Sequence, residues 1–163
     1  MDAERILRDL TKAEVEFVVV GGVAAVLQGA PITTFDLDIV PALDSGNRGR
    51  LMTVLDSLDA CYREALPERI APSASDLAAG GHVVMMTGAG PLDVLGQVAG
   101  ELGYEGLLPR CRPMYLDEIE IWVLDLAALI ELKEQMGDDT DLAQLPVLRR
   151  TLEERGNRGE PYP

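Results

Sequence analysis

The sequence predicts one α/β (α+β) domain, a mixed β-sheet flanked by helices and ending in a C-terminal helical hairpin. Three observations carry this. Short runs of β-branched residues alternate with longer amphipathic segments, as a chain interleaving strands and helices requires. Glycine or proline separates them, at Gly21–Gly22, Pro41, Gly88–Gly90 and Gly137, and these residues punctuate regular structure. The 163 residues, 47% of them hydrophobic, suit a single core of ordinary size. The domain is expected over residues 1–155, with 156–163 (GNRGEPYP) as a disordered tail.

Each element has its own signal. Residues 3–14 place Ile6, Leu7 and Leu10 on one side of an amphipathic helix. EFVVV at 16–20 is a run of β-branched and aromatic residues, hence a strand, and Gly21–Gly22 ends it. VAAVLQ at 23–28 is a helix stopped by Gly29. FDLDIV at 35–40 alternates apolar and acidic residues with period two, a half-buried strand stopped by Pro41. Residues 46–59 carry Leu51, Val54, Leu55 and Leu58 at helical spacing, and 65–81 reads as loop, rich in proline, serine and small residues. HVVMMT (82–87) and PLDVLG (91–96) are strands joined by a turn at 88–90. A short helix follows over 100–109, then a hairpin over 114–124 turning at Asp117–Glu118. A helix over 126–136 breaks at Gly137–Asp138, and the last helix covers 141–155.

Composition narrows the function. A formal net charge of −14 repels nucleic acid over most of the surface and argues against nonspecific DNA binding. Cys61 and Cys111 have no CxxC spacing and His82 is the one histidine, which excludes a Cys/His zinc centre. Two free thiols suit a reducing compartment. The N-terminal MDAERILRDL is charged rather than signal-like, and no run approaches the ~18 apolar residues of a membrane span. A cytoplasmic location away from membranes is the expectation.

Three pieces carry chemistry. In VVVGGVAAVLQGAPITTFDLDIV (18–40), two glycines follow a strand and open a helix, where backbone can approach a ligand closely and exposed amides favour an anion. Alone, this corner is as readily a tight turn. Next come Asp36 and Asp38, at i and i+2 of a strand, which share one face while Leu37 and Ile39 point to the core. Two adjacent carboxylates repel, and a divalent cation, magnesium above all, relieves that cost. Third is Asp93, in a strand otherwise apolar. If that strand lies beside FDLDIV, three carboxylates converge and suit two metal ions, in such sites roughly 3.5–4 Å apart.

In this order the pieces resemble the nucleotidyltransferase superfamily. The resemblance continues through AGGHVVMMTGAGPLDVLG, AGELGYEGLL and LAALIELKEQMGDDTDLAQLPVLRRTLEER, which are similar to the small nucleotidyltransferases related to abortive-infection toxins (AbiEii-type). It spans about residues 12–155. It implies a nucleotidyltransferase-type mixed sheet, a magnesium-bound NTP donor at a two-ion site, and transfer of a nucleoside monophosphate to an acceptor hydroxyl. It also implies an RNA, protein or small-molecule acceptor and, in a toxin, an antitoxin partner. By resemblance Gly21 and Gly22 hold the donor phosphates. Asp36 and Asp38 are metal ligands, and Asp93 is the third ligand or the base that activates the acceptor. Lys133 contacts the triphosphate, unless it only pairs with Glu131 or Glu134, and Asp141 orients that lysine or caps the last helix.

Three departures keep a second reading open, a degenerate member that binds nucleotide or a protein partner without turnover. Ile32 stands where relatives carry an arginine, and Asp138 and Thr140 stand where they carry cations. Each lost cation weakens charge-assisted triphosphate binding by about 1–3 kcal/mol. Arg48 and Arg50 are candidates to compensate, or are solvated surface. His82, Trp122 and Tyr104 read as structural.

Overall fold

The computed structural model describes residues 1–137 and 139–157. Seven strands form one mixed sheet: β1 Phe17–Val20, β2 Leu37–Pro41, β3 Cys61–Tyr62, β4 His82–Thr87, β5 Gly90–Leu95, β6 Cys111–Leu116 and β7 Ile119–Leu124. Their spatial order is β3-β4-β5-β2-β1-β7-β6. Pairing is parallel between β2 and β5 and between β1 and β7, and antiparallel elsewhere. The four residues of β1 are all buried. Such a strand, covered on both faces, shows as a continuous apolar run, which is how FVVV reads.

Among the described residues, seven α-helices flank the sheet: α1 Ala3–Lys12, α2 Gly21–Leu27, α3 Ser45–Ser57, α4 Ala74–Ala78, α5 Tyr104–Leu107, α6 Leu126–Met136 and α7 Asp139–Asn157. Side-chain caps start several of them. Asp2 accepts from Arg5 N, Asp44 from Gly46 N and Asn47 N, and Asp125 from Ala127 N, pairing amides that have no intrahelical partner. Gly137, at φ +67°, closes α6 in the left-handed conformation usual just past a helix end, and α7 packs back on α6 as a hairpin. Two buried amides fix helices to the sheet. Gln28 donates to Ala24 O and Leu124 O and accepts from Leu126 N. Asn47 accepts from Glu16 N and donates to Glu16 O and Ala42 O. Among the described residues, no helix is long and apolar enough to cross a membrane.

The sequence expectations fail where local signals are weak. The segment read as loop over 65–81 contains α4, started by Ser73 accepting from Asp76 N, and just before it lies the unexpected strand β3. Two residues show no period, and β3 exists only because Cys61 and Tyr62 pair with Met86 and Met85. The helix expected over 100–109 shrinks to α5 and a following 3-10 turn, Leu108–Arg110. The hairpin expected from 114 begins at Cys111. α7 starts two residues early and runs to Asn157, so Gly156 and Asn157 are helical rather than part of a disordered tail. Residues 158–163 of that expected tail, and Asp138, lie outside the described residues.

Candidate active site

β1 delivers the Gly-Gly corner. Its last residue, Val20, pairs with Asp38 of β2, so Gly21 begins α2 directly beside that carboxylate. Gly21 has φ +65°, and a Cβ there would lie 2.0 Å from Asp38 Oδ2. Glycine is therefore needed twice over, for conformation and for space. A Cβ on Gly22 would lie 2.4 Å from Thr34 Oγ1. The two glycines thus let the segment before β2 close onto the start of α2.

β2 and β5 run parallel with Asp38 opposite Asp93, so the strand order brings these two acids side by side. Asp36 lies one residue before β2, outside the ladder, because pairing with β5 begins at Leu37. It is half-buried, with Oδ1 3.4 Å from Thr34 Oγ1. Leu37 and Ile39 are fully buried, as expected. Crowding shows in the electrostatics. Burial first, then the charges of Asp36 and Asp93, push the Asp38 carboxyl up to about 7, with Lys133 and Arg63 pulling the other way.

Asp93 is buried and its two oxygens are both engaged. Arg63 Nη2 donates to Oδ1 at 2.6 Å and His82 Nε2 lies 3.2 Å from Oδ2. Neither partner was foreseen. Arg63 follows β3 in a segment with no periodicity. His82, read as structural, lies at the start of β4 with its side chain half exposed on the cleft. The hint for both lay in the fact that Asp93 sits in an apolar strand, since a buried carboxylate requires partners.

A cleft of about 380 Å³ is lined by Gly21, Gly22, Asp36, Asp38, His82, Lys133 and Asp141, whereas Asp93 and Arg63 lie behind it and do not line it. Cavities of about 440 and 500 Å³ elsewhere are lined by none of the carboxylates Asp36, Asp38 and Asp93. Lys133 is buried and ion-paired with Asp141, whereas Glu131 pairs with Arg110 and Glu134 with Arg149. The lysine is therefore held at the cleft by α7. Neither Arg48 nor Arg50 lines the cleft; Arg50 bonds to Glu14 O and Asn47 Oδ1 instead. Ile32 is half-buried and packs against the core.

Lys133→Met should lower stability by about 2 kcal/mol, because Asp141, itself mostly buried, is left uncompensated. The double variant Lys133→Met/Asp141→Leu should recover most of the loss in urea unfolding. Equal losses in the single and double variants would mean that the pair contributes nothing as a pair.

The donor set suits a hard divalent cation. Asp36 and Asp38 are neighbouring carboxylates on the cleft, and burial first, then the charges of Asp36 and Asp93, disfavours the ionised Asp38 carboxyl, a cost that such an ion offsets. Even so, among the described residues no three His, Cys, Asp or Glu side chains are grouped to hold a metal ion; Asp93 is committed to Arg63 and His82.

No protein-family model and no curated protein matches the sequence. Solved structures do. The antibiotic-resistance factor ANT(2'')-Ia is similar with a TM-score of 0.60 and 14% identity, over 93% of this chain and 86% of that one. A candidate nucleotidyltransferase from Thermotoga maritima is similar with a TM-score of 0.57 and 19% identity, over 94% and 91%. The mixed seven-stranded sheet with its flanking helices is the nucleotidyltransferase fold.

Proposed function

We propose that the protein transfers a nucleoside monophosphate from an NTP to an acceptor hydroxyl, using the cleft between β2, the start of α2 and the α6–α7 hairpin. The observation that carries this is the register Asp38–Asp93, with Asp36 two residues upstream and Gly21 pressed onto Asp38. Acids gathered this closely, one of them pushed to about 7, cost stability in the empty protein, and a bound cation relieves that cost.

Asp36 and Asp38 would hold the divalent cation, expected to be magnesium. That cation supplies charge neutralisation at the donor phosphates, the main requirement of nucleotidyl transfer. Gly21 and Gly22 leave backbone open to those phosphates. Lys133, oriented by Asp141, places a cation opposite the carboxylates. His82, half exposed on the cleft and bonded to Asp93, is the group positioned to take the proton of the acceptor hydroxyl, with Asp93 orienting its ring. The sequence resemblance to abortive-infection toxins adds a finer proposal: an RNA, protein or small-molecule acceptor, and an antitoxin as partner.

A second reading, binding without turnover, is favoured by Ile32, which packs against the core where the sequence resemblance would place a cation. A thermal-shift panel of the four NTPs, with and without magnesium, separates the cases. A magnesium-dependent rise of several degrees with at least one NTP, lost in Asp36→Ala, is expected. Pyrophosphate release that depends on Asp93 then distinguishes transfer from mere binding. No rise with any nucleotide would sink transfer and nucleotide binding alike and leave only a protein partner for the second reading.

A further inference from the structure

We propose that Arg63 takes the place of a second divalent cation at Asp93, so that the cleft holds one ion, on Asp36 and Asp38, rather than two. This rests on the reading that Asp36 and Asp38 bind a cation. The Asp93 side chain is 8% exposed, and its oxygens face Arg63 Nη2 at 2.6 Å and His82 Nε2 at 3.2 Å. The arginine contact is short even for a charge-assisted hydrogen bond. A guanidinium does not lose its proton in a protein, so the positive charge beside Asp93 is permanent. Buried carboxylates need a counter-charge, and here the fold supplies one covalently.

Arg63 is held for this contact at some cost. Nη2 also donates to Met85 O of β4 at 3.3 Å, while Nε is buried without a partner. A side chain placed only for packing would gain by turning Nε toward water. Asp36 and Asp38 line the cleft; the described hydrogen bonds of Asp36 are with Thr34, and Lys133 and Arg63 act on Asp38 through charge without a hydrogen bond. The two halves of the carboxylate set therefore differ. One is open to the cleft, the other already paired directly with an arginine. A second dication at Asp93 would meet a fixed like charge and would have to displace two hydrogen bonds.

Manganese binding to the full chain, followed by electron paramagnetic resonance and calorimetry, tests this without any turnover. Wild type should bind one Mn2+ in a site that Asp38→Asn lacks. Arg63→Met should gain a second ion, at least tenfold tighter than any second site of wild type, because Asp93 loses its counter-charge. Arg63→Lys, which keeps the charge, should stay at one. Two ions in wild type, or a single ion in folded Arg63→Met, overturns the assignment of Arg63. If Arg63→Met proves unfolded by circular dichroism, Arg63→Gln, which keeps hydrogen bonding to Asp93 without the charge, takes its place, with a second ion supporting the assignment and a single ion overturning it. No specific ion in wild type would instead overturn the cation site at Asp36 and Asp38.

Discussion

Gly21→Ala is expected to cost about 3 kcal/mol of stability and to remove magnesium-dependent nucleotide binding. Two penalties combine. A residue with a side chain held at φ +65° pays roughly 1–2 kcal/mol for the left-handed conformation. The new methyl would also lie 2.0 Å from Asp38 Oδ2, 2.9 Å from Cγ and 3.1 Å from Cβ. Rotating the carboxylate away does not clear the last of these contacts, because Asp38 Cβ is fixed by a strand paired on both sides. Backbone must move, and overpacking of this kind costs about 1–3 kcal/mol. Gly29→Ala is the matched control. Its φ is +91° but nothing lies within 4 Å of the added atom, so it should pay conformational strain alone. Urea unfolding of the two variants separates the terms: a Gly21→Ala loss no larger than that of Gly29→Ala would show that Asp38 does not press on the corner.

How much of this could be read beforehand follows from where each signal resides. The helices and strands with strong periodicity, such as the strand at Phe17–Val20 and the helix at Leu126–Met136, fall within a residue or so of expectation, since burial and hydrogen bonding there repeat along the chain. The carboxylates were visible because Asp36 and Asp38 alternate with apolar residues and Asp93 interrupts an apolar run. That Asp93 stands opposite Asp38 was not visible. Strand order is a property of tertiary pairing, and the sequence offered it only as a condition. Arg63 and His82 reach Asp93 from the short segment after β3 and from β4, and no local pattern marks a residue whose partner lies 30 positions away. Lys133 and its orientation by Asp141 were offered by the resemblance, with Glu131 and Glu134 as the local alternatives; the pair with Asp141 depends on how α7 folds back, which no local pattern decides. Local chemistry thus named the acids, while the partners of Asp93 came from topology.

Asp38→Asn should abolish transfer, by three orders of magnitude or more, and yet make the metal-free protein more stable at pH 8. The carboxyl of Asp38 is pushed from 3.8 to about 7 in the fold, so between those values the native state holds a proton that the unfolded chain has lost. With more protons bound in the native than in the unfolded state, stability falls as pH rises through this window, and is flat below about 4 and above about 7. A shift of that size corresponds to a loss on the order of 3–4 kcal/mol across the window. Asparagine resembles the protonated acid in shape and charge and does not titrate, so the variant should lack this slope. Wild type and variant should melt alike near pH 4 and diverge toward pH 8, with the variant higher. Magnesium should invert the order at pH 8, raising wild type and leaving the variant unmoved, because a cation offsets both the burial and the neighbouring charges that disfavour the ionised carboxyl. Parallel pH profiles for the two proteins without metal would mean that burial and the neighbouring acids do not raise Asp38. Divergent profiles with no magnesium effect would mean that the crowding serves something other than a cation, and would leave the nucleotidyltransferase fold here without the chemistry proposed for it.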